Sequence, residues 1–417
     1  MKKEKKLILK YLVKIETPKT HLVNIKIIGE KLSSDSHLDF FLPSWSPGSY
    51  LMREYGRNVQ SFQVNRSCGQ ELYFEQISKG TWRVKWEKSD RDNSFEINYN
   101  VFCHDLTVRT SHIDVSHAFL HGPSVFMGVL NKQIDNPIVK IDFPASWSKV
   151  STGLVDISED RNNFEYQAEN YDILLDCPIE IGCHFTDGFV AGGKNHYLAF
   201  YGEQLPHENN IKEDIKTIVE HISSLMKGMP YEDYTFISHF LPNKFGGLEH
   251  SNSTVLQYDN RSFSSRKEYI RWLALVSHEY FHTWNIKRIR PKGLGPFDYL
   301  KEAETSLLWL AEGLTSFMDE LFIYRCGLIT LEEYLGLQKD NLLRYYSIKG
   351  RRFHSLENSS FNAWNKLYRP DENSTNSSIS YYLKGGIAFF ILHTLFIKHE
   401  KDINDFLHEL WQAYLRN

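Results

Sequence analysis

His278-Glu279-Tyr280-Phe281-His282 constrains this chain more than any other stretch. Positions i and i+4 share one helix face, so a helical segment here aims two imidazoles at one point. Two such imidazoles supply two of the three protein ligands of a catalytic zinc site, and Glu279 stands next to them, placed to polarise a metal-bound water. The surroundings read as a helix. Ser265 and Glu268 have capping-box spacing, and Tyr269, Ile270, Leu273, Ala274 and Val276 form a largely apolar run leading into His278. Taken alone, the five residues also fit two core histidines beside a surface glutamate.

A catalytic zinc needs a third protein ligand and an open fourth position. Downstream, Leu307-Leu308-Trp309-Leu310-Ala311-Glu312-Gly313-Leu314-Thr315 places Glu312 inside an apolar run. A carboxylate buried without a cation is costly, so Glu312 is the candidate third ligand. A core glutamate paired with Arg271 or Arg325 is the competing reading. Thr315 shares a face with Glu312 and is either a hydrogen-bond support for it or a plain helix threonine.

The segment from His278 through Trp284-Asn285-Ile286-Lys287-Arg288-Ile289-Arg290-Pro291 resembles the signature of the glycyl aminopeptidase-type metallopeptidases. These are gluzincins that usually carry a trailing PDZ domain. The resemblance runs along nearly the whole chain in family order. It includes Pro43-Ser44-Trp45-Ser46-Pro47-Gly48-Ser49-Tyr50, Asp105-Leu106-Thr107-Val108-Arg109-Thr110 and Asp176-Cys177-Pro178-Ile179-Glu180-Ile181-Gly182. It continues in Gly246-Gly247-Leu248-Glu249-His250 and in the Ala363-Trp364 to Asn373 segment.

The resemblance implies that His278, His282 and Glu312 hold one Zn2+ per chain and that Glu279 is the general base. It also implies that Glu249, in a loop similar to the exopeptidase loop of aminopeptidase N enzymes, holds the substrate α-amine. Tyr382, in Tyr382-Leu383-Lys384-Gly385, matches the tyrosine that stabilises the tetrahedral oxyanion. Elementary chemistry agrees with these roles. A carboxylate on an edge strand suits an ammonium ion, glycines such as Gly246 and Gly247 let a substrate backbone approach, and a phenol can donate to an oxyanion. A simple turn at Gly246-Gly247 and a core aromatic at Tyr382 remain the alternatives, since the chain holds 23 tyrosines. The sequence departs from the family where Phe317 and Met318 follow the Glu312 motif, and no PDZ domain is expected before the last residue, Asn417.

A net charge of −4 argues against a broad nucleic-acid surface. Met1 to Lys10 begins basic, but its apolar stretch is too interrupted for a signal peptide. No run reaches the roughly 18 apolar residues of a membrane span, so no membrane partner is expected. Five cysteines, odd in number and without a C-x-x-C pair, fit a reducing cytoplasm. The oligomeric state is open.

The expected fold is α+β and multidomain. Residues 1–185 read as short strands between turns, an antiparallel sandwich or saddle. Residues 186–325 read as a thermolysin-like catalytic domain, with strands at 196–201 and 234–241, a helix at 211–226, an edge strand at Gly246 and then the two ligand helices. Residues 326–417 read as a helical part carrying Tyr382, with a Ser/Asn-rich segment, 357–380, whose Trp364, Leu367 and Tyr368 favour an ordered loop. The Lys287-Arg288-x-Arg290 cluster either pairs with acidic groups or caps a helix end. The expected activity is zinc-dependent removal of a small first residue, Gly or Ala, from a peptide. A thermolysin-type endopeptidase and a non-catalytic peptide-binding relative are the alternatives.

Overall fold

The computed structural model describes residues 6–32, 34–87, 92–160, 163–202 and 210–416. The basic start of the chain, residues 1–5, lies outside them. The chain forms two compact units, Met1–Phe185 and Thr186–Asn417.

Alternation of apolar and polar residues builds the first unit. Leu9, Tyr11 and Val13 point inward from strand Leu9–Lys14, and Phe95, Ile97, Tyr99 and Val101 do so from Ser94–Phe102. A seven-stranded sheet runs in the order Val155–Asp156, Phe164–Gln167, Ile138–Asp142, Leu9–Lys14, Leu22–Glu30, Ser94–Phe102, Val59–Asn65. One pair departs from the expected antiparallel pattern: Leu9–Lys14 and Ile138–Asp142 run parallel. Among the described residues the unit also holds two four-stranded sheets, one of them ordered Lys149–Thr152, Ile179–Gly182, His117–Leu120, His112–Ile113.

In the second unit a five-stranded sheet runs Phe185–Ala191, Lys194–Gly202, Asp233–Phe240, Ser253–Tyr258, Phe245–Glu249. Its three middle strands are parallel, and Ser253–Tyr258 is buried along its whole length, as parallel strands covered on both faces are. The last strand, Phe245–Glu249, turns back antiparallel at the edge. Helix Ile211–Leu225 buries Ile211, Ile215, Ile218, Val219 and Ile222 at helical spacing. Those residues join Phe236, Leu256, Trp272, Leu273 and Val276 in one core.

The chain beyond residue 326 belongs to the same unit. Phe389, Ile403, Leu407 and Trp411, from helices Tyr381–Lys398 and Ile403–Arg416, enter that core. The Ser/Asn-rich segment is ordered and holds two short helices, Leu356–Phe361 and Ser374–Ser377. Trp364 is buried there and donates to the Ala303 carbonyl at 3.1 Å. One expectation needs correcting. Ser374–Lys398 is, by length and composition alone, long and apolar enough to cross a membrane. Leu383, Gly385, Ile387 and Phe389 of this segment are nonetheless buried against the rest of the unit.

Candidate metal centre and active site

The motif helix, Arg266–Phe281, buries Trp272, Leu273, Val276 and Tyr280 and ends at the histidine motif itself, with His282 as its C-cap. The expected capping box is not formed. Ser265 is the N-cap without a side-chain bond, and Glu268 instead pairs with Arg271 at 2.9 Å. The competing partners for Glu312 are thereby taken up elsewhere, because Arg325 pairs with Asp402.

The third ligand candidate arrives on a π-turn, Trp309–Gly313, which leads into helix Leu314–Arg325. Such turns recur at functional sites because the extra residue redirects one side chain. Glu312 Oε2 lies 3.4 Å from His278 Nε2 and 3.1 Å from His282 Nε2. The other nitrogen of each ring is already engaged. His278 Nδ1 is 2.8 Å from Asp319 Oδ2, and His282 Nδ1 is 2.8 Å from the Asn285 carbonyl. These acceptors fix protons on Nδ1 and leave both Nε2 lone pairs facing a carboxylate. Three electron-pair donors converge with nothing positive among them, which is the chemistry of a cation site. The alternative neutralisation is by protons: burial lowers the pKa of each ring, but Asp319 and Glu312 at His278, and Glu312 at His282, outweigh it and raise both. A His2Glu set of this kind fits zinc.

Asp319 escaped the sequence reading. Its signal was the one that exposed Glu312, an acid within the apolar run Leu314 to Ile323. Thr315 has a different role from the one considered. Its hydroxyl donates to the Ala311 carbonyl at 2.7 Å and accepts from Asn285 Nδ2 at 2.9 Å. Asn285 Nδ2 also donates to the Ala311 carbonyl at 2.7 Å. One asparagine therefore holds His282 through its carbonyl and the Glu312 turn through its amide. The chain just after it is strained, with Ile286 at φ 127°. Arg288 binds backbone carbonyls, of Ser251 at 2.9 Å and Thr283 at 2.8 Å, and Arg290 lies over the Phe297 ring.

Glu279 is buried, and its Oε2 has no hydrogen-bond partner among the described residues. Burial, with Glu249 and Glu312 nearby, raises its pKa to about 7 against the opposing pull of the two histidines. Its carboxylate lies against the edge strand. A Cβ on Gly247 would stand 2.0 Å from Glu279 Oε1, so any larger residue there would push the Glu279 side chain aside. At the end of that strand, Glu249 is buried and brings a carboxylate oxygen within 4.8 Å of donor atoms on Glu279 and His282.

Tyr382 is the second residue of helix Tyr381–Lys398, and its backbone N–H donates to the capping Ser380 hydroxyl. Its half-buried ring stacks near His278, centroids 6.3 Å apart, whereas Tyr381 is fully buried. Two glycines set this approach. A Cβ on Gly313 would meet Gly385 Cα at 2.6 Å, and one on Gly385 would meet Gly313 Cα at 2.9 Å. Backbone thus touches backbone where the Tyr382 helix crosses the Glu312 turn. Lys384 ties the helix down, donating to the Arg351 and His354 carbonyls at 3.0 and 2.6 Å. Phe317 packs on His393, centroids 5.4 Å apart.

Residues 10–183 match the peptidase M61 N-terminal domain, and residues 271–388 match the M61 glycyl aminopeptidase domain. A crystal structure of an aminopeptidase N family protein from Idiomarina loihiensis is 32% identical, with a TM-score of 0.92, over 98% of this chain and 70% of that one. The chain belongs to the M61 glycyl aminopeptidase family. It is a metallopeptidase, a hydrolase. Two further structures share the fold. An M1 zinc metallopeptidase from Deinococcus radiodurans, bound to a Tyr-Ser-Ala substrate, is 14% identical with a TM-score of 0.56 and is covered over 87% of its length. Native yeast LTA4 hydrolase is 15% identical with a TM-score of 0.55 and is covered over 62%. Each aligns with 98% of this chain. No curated protein matches it significantly.

Proposed function

We propose that this member of the family is a zinc aminopeptidase that removes a small first residue, Gly or Ala, from peptides. The observation that carries the reading is the position of Glu249. A buried carboxylate beside both Glu279 and His282 is where a substrate ammonium would be held by charge-assisted hydrogen bonds. With the amine fixed there, only the first peptide bond comes within reach of the base. The size preference rests on the family resemblance.

His278, His282 and Glu312 would hold the zinc ion, which when bound supplies Lewis acidity for water and for the scissile carbonyl. Asp319 and the Asn285 carbonyl keep the two rings oriented. Glu279 takes a proton from the attacking water and delivers it to the leaving amine. Tyr382 donates a hydrogen bond to the developing oxyanion. All five cysteines are thiols, which supports a cytoplasmic setting.

The test is a panel of aminoacyl-arylamides beside N-acylated peptides of the same sequence. Free-amine glycyl and alanyl substrates should be hydrolysed and the blocked ones spared. Glu249→Ala should remove this preference by depressing the free-amine rates alone. Cleavage of internal bonds in blocked peptides would replace the reading with an endopeptidase.

A further inference from the structure

The first unit contains a second group of metal-type donors, for which the peptidase reaction has no use. His112–Ile113 pairs antiparallel with His117–Leu120, and the turn between them carries Asp114. Asp114 Oδ1 accepts from the Ser116 backbone N–H at 2.7 Å, the Ser116 hydroxyl at 2.5 Å and the His117 N–H at 3.2 Å. That fixes the carboxylate with Oδ2 3.3 Å from His112 Nε2. His112 Nδ1 lies 2.5 Å from the His104 carbonyl. A carbonyl only accepts, so Nδ1 carries the ring proton and Nε2 presents a lone pair.

His117 is the deciding residue. Its side chain is completely buried, with Nδ1 2.7 Å from Glu180 Oε1, which is also completely buried. A carboxylate on one nitrogen of an imidazole fixes the tautomer and turns the other nitrogen into a metal donor. His278 and Asp319 repeat the arrangement in the second unit. His112, Asp114 and His117 bring their ligand atoms within 4.8 Å of one another. The 3.3 Å between His112 Nε2 and Asp114 Oδ2 matches the edge of a tetrahedron with bonds of about 2.0–2.2 Å. A turn stabilised by Asp114 accounts for Oδ1 but not for the buried His117–Glu180 pair, whose imidazole lies beside that of His112 with ring centroids 5.2 Å apart.

We propose that His112, Asp114 and His117 hold a divalent transition-metal ion, zinc by donor type, as a staple across this hairpin. Glu180 is a positioning residue that orients His117, and solvent fills the fourth place. His21 and His104, whose rings lie 4.6 Å apart and 6.4 Å from His112, stand outside the ligand set.

The test counts zinc. The full chain is stripped with a chelator, titrated with Zn2+ alone, and its bound equivalents and melting temperature are recorded. Two equivalents are expected for the unaltered protein and one for His112→Ala, which should retain full peptidase activity. His282→Ala should also bind one, and zinc should still raise its melting temperature. The double variant should bind none. His104→Ala should bind two. Should His112→Ala be destabilised, Asp114→Asn serves in its place and should weaken the same equivalent at least tenfold. The proposal falls if His112→Ala and Asp114→Asn bind zinc as the unaltered chain does. It also falls if His282→Ala binds none, or if His104→Ala loses as much as His112→Ala. Failure of the active-site reading would look different: His282→Ala would then lose nothing.

Discussion

Each unit gathers two imidazoles and a carboxylate, and the chain builds the two groups by opposite routes. In the second unit the donors come from elements far apart in sequence, a helix end and a π-turn, joined by Asn285. In the first unit all three sit within one hairpin, from His112 to His117, and only Glu180 comes from elsewhere. A group drawn from distant elements exists only when the surrounding core has folded, and that core fixes its geometry. Chemistry needs such fixity. A group within one hairpin can assemble locally, leaves Asp114 a third exposed, and suits a staple.

The substitutions that sharpen this contrast can be ranked by their effect on turnover. Glu279→Gln should lower kcat/KM by roughly 10²–10⁴-fold and leave the zinc content unchanged. Unimpaired turnover would end the base assignment. Gly247→Ala comes next, because its Cβ would collide with Glu279 Oε1. Displacing a reacting group by about 1 Å can cost about 10²-fold, so kcat should drop to that extent while metal stays bound. A normal rate would show that Glu279 need not sit against the edge strand.

Asp319→Ala should weaken zinc binding by about 10–100-fold, read by competition with a chelator, and excess zinc should restore most of the activity. Gly385→Ala overpacks the crossing at Gly313 and should cost about 1–3 kcal/mol, seen as an earlier denaturation midpoint with a smaller loss of rate. His112→Ala stands last: no change in turnover, only a lower melting temperature in zinc. Any loss of activity there would break the contrast between the two groups.

The sequence made the two motif histidines legible because a spacing of four on a helix is a geometric statement. Glu312 stood out as an acid in an apolar run, and its carboxylate does reach both imidazoles. The reading of residues 1–185 as short strands holds at Leu9–Lys14, Leu22–Glu30 and Ser94–Phe102, where buried and more exposed residues alternate. Other features were hidden for physical reasons. Asp319 and Glu320 are adjacent acids with separate tasks. Asp319 holds His278, while Glu320 accepts from Gln338 at 2.6 Å, with burial and then Asp319 raising its pKa to about 8. No one-dimensional pattern separates the two. The π-turn has no residue preference strong enough to announce it. Ser265 and Glu268 had the right spacing for a cap, but Glu268 found Arg271 and Tyr258. The His112–His117 group could not be recognised without Glu180, which reaches it across sheet pairing rather than sequence.

The bare contact of Gly313 with Gly385 makes one mechanical part of two segments that look independent in the sequence. A side chain added to either glycine pushes on both, so the carboxylate at Glu312 and the phenol at Tyr382 cannot be retuned separately. Variation in related chains should then change these two positions together or not at all, and redesign of this enzyme would do better to begin at its edge strand.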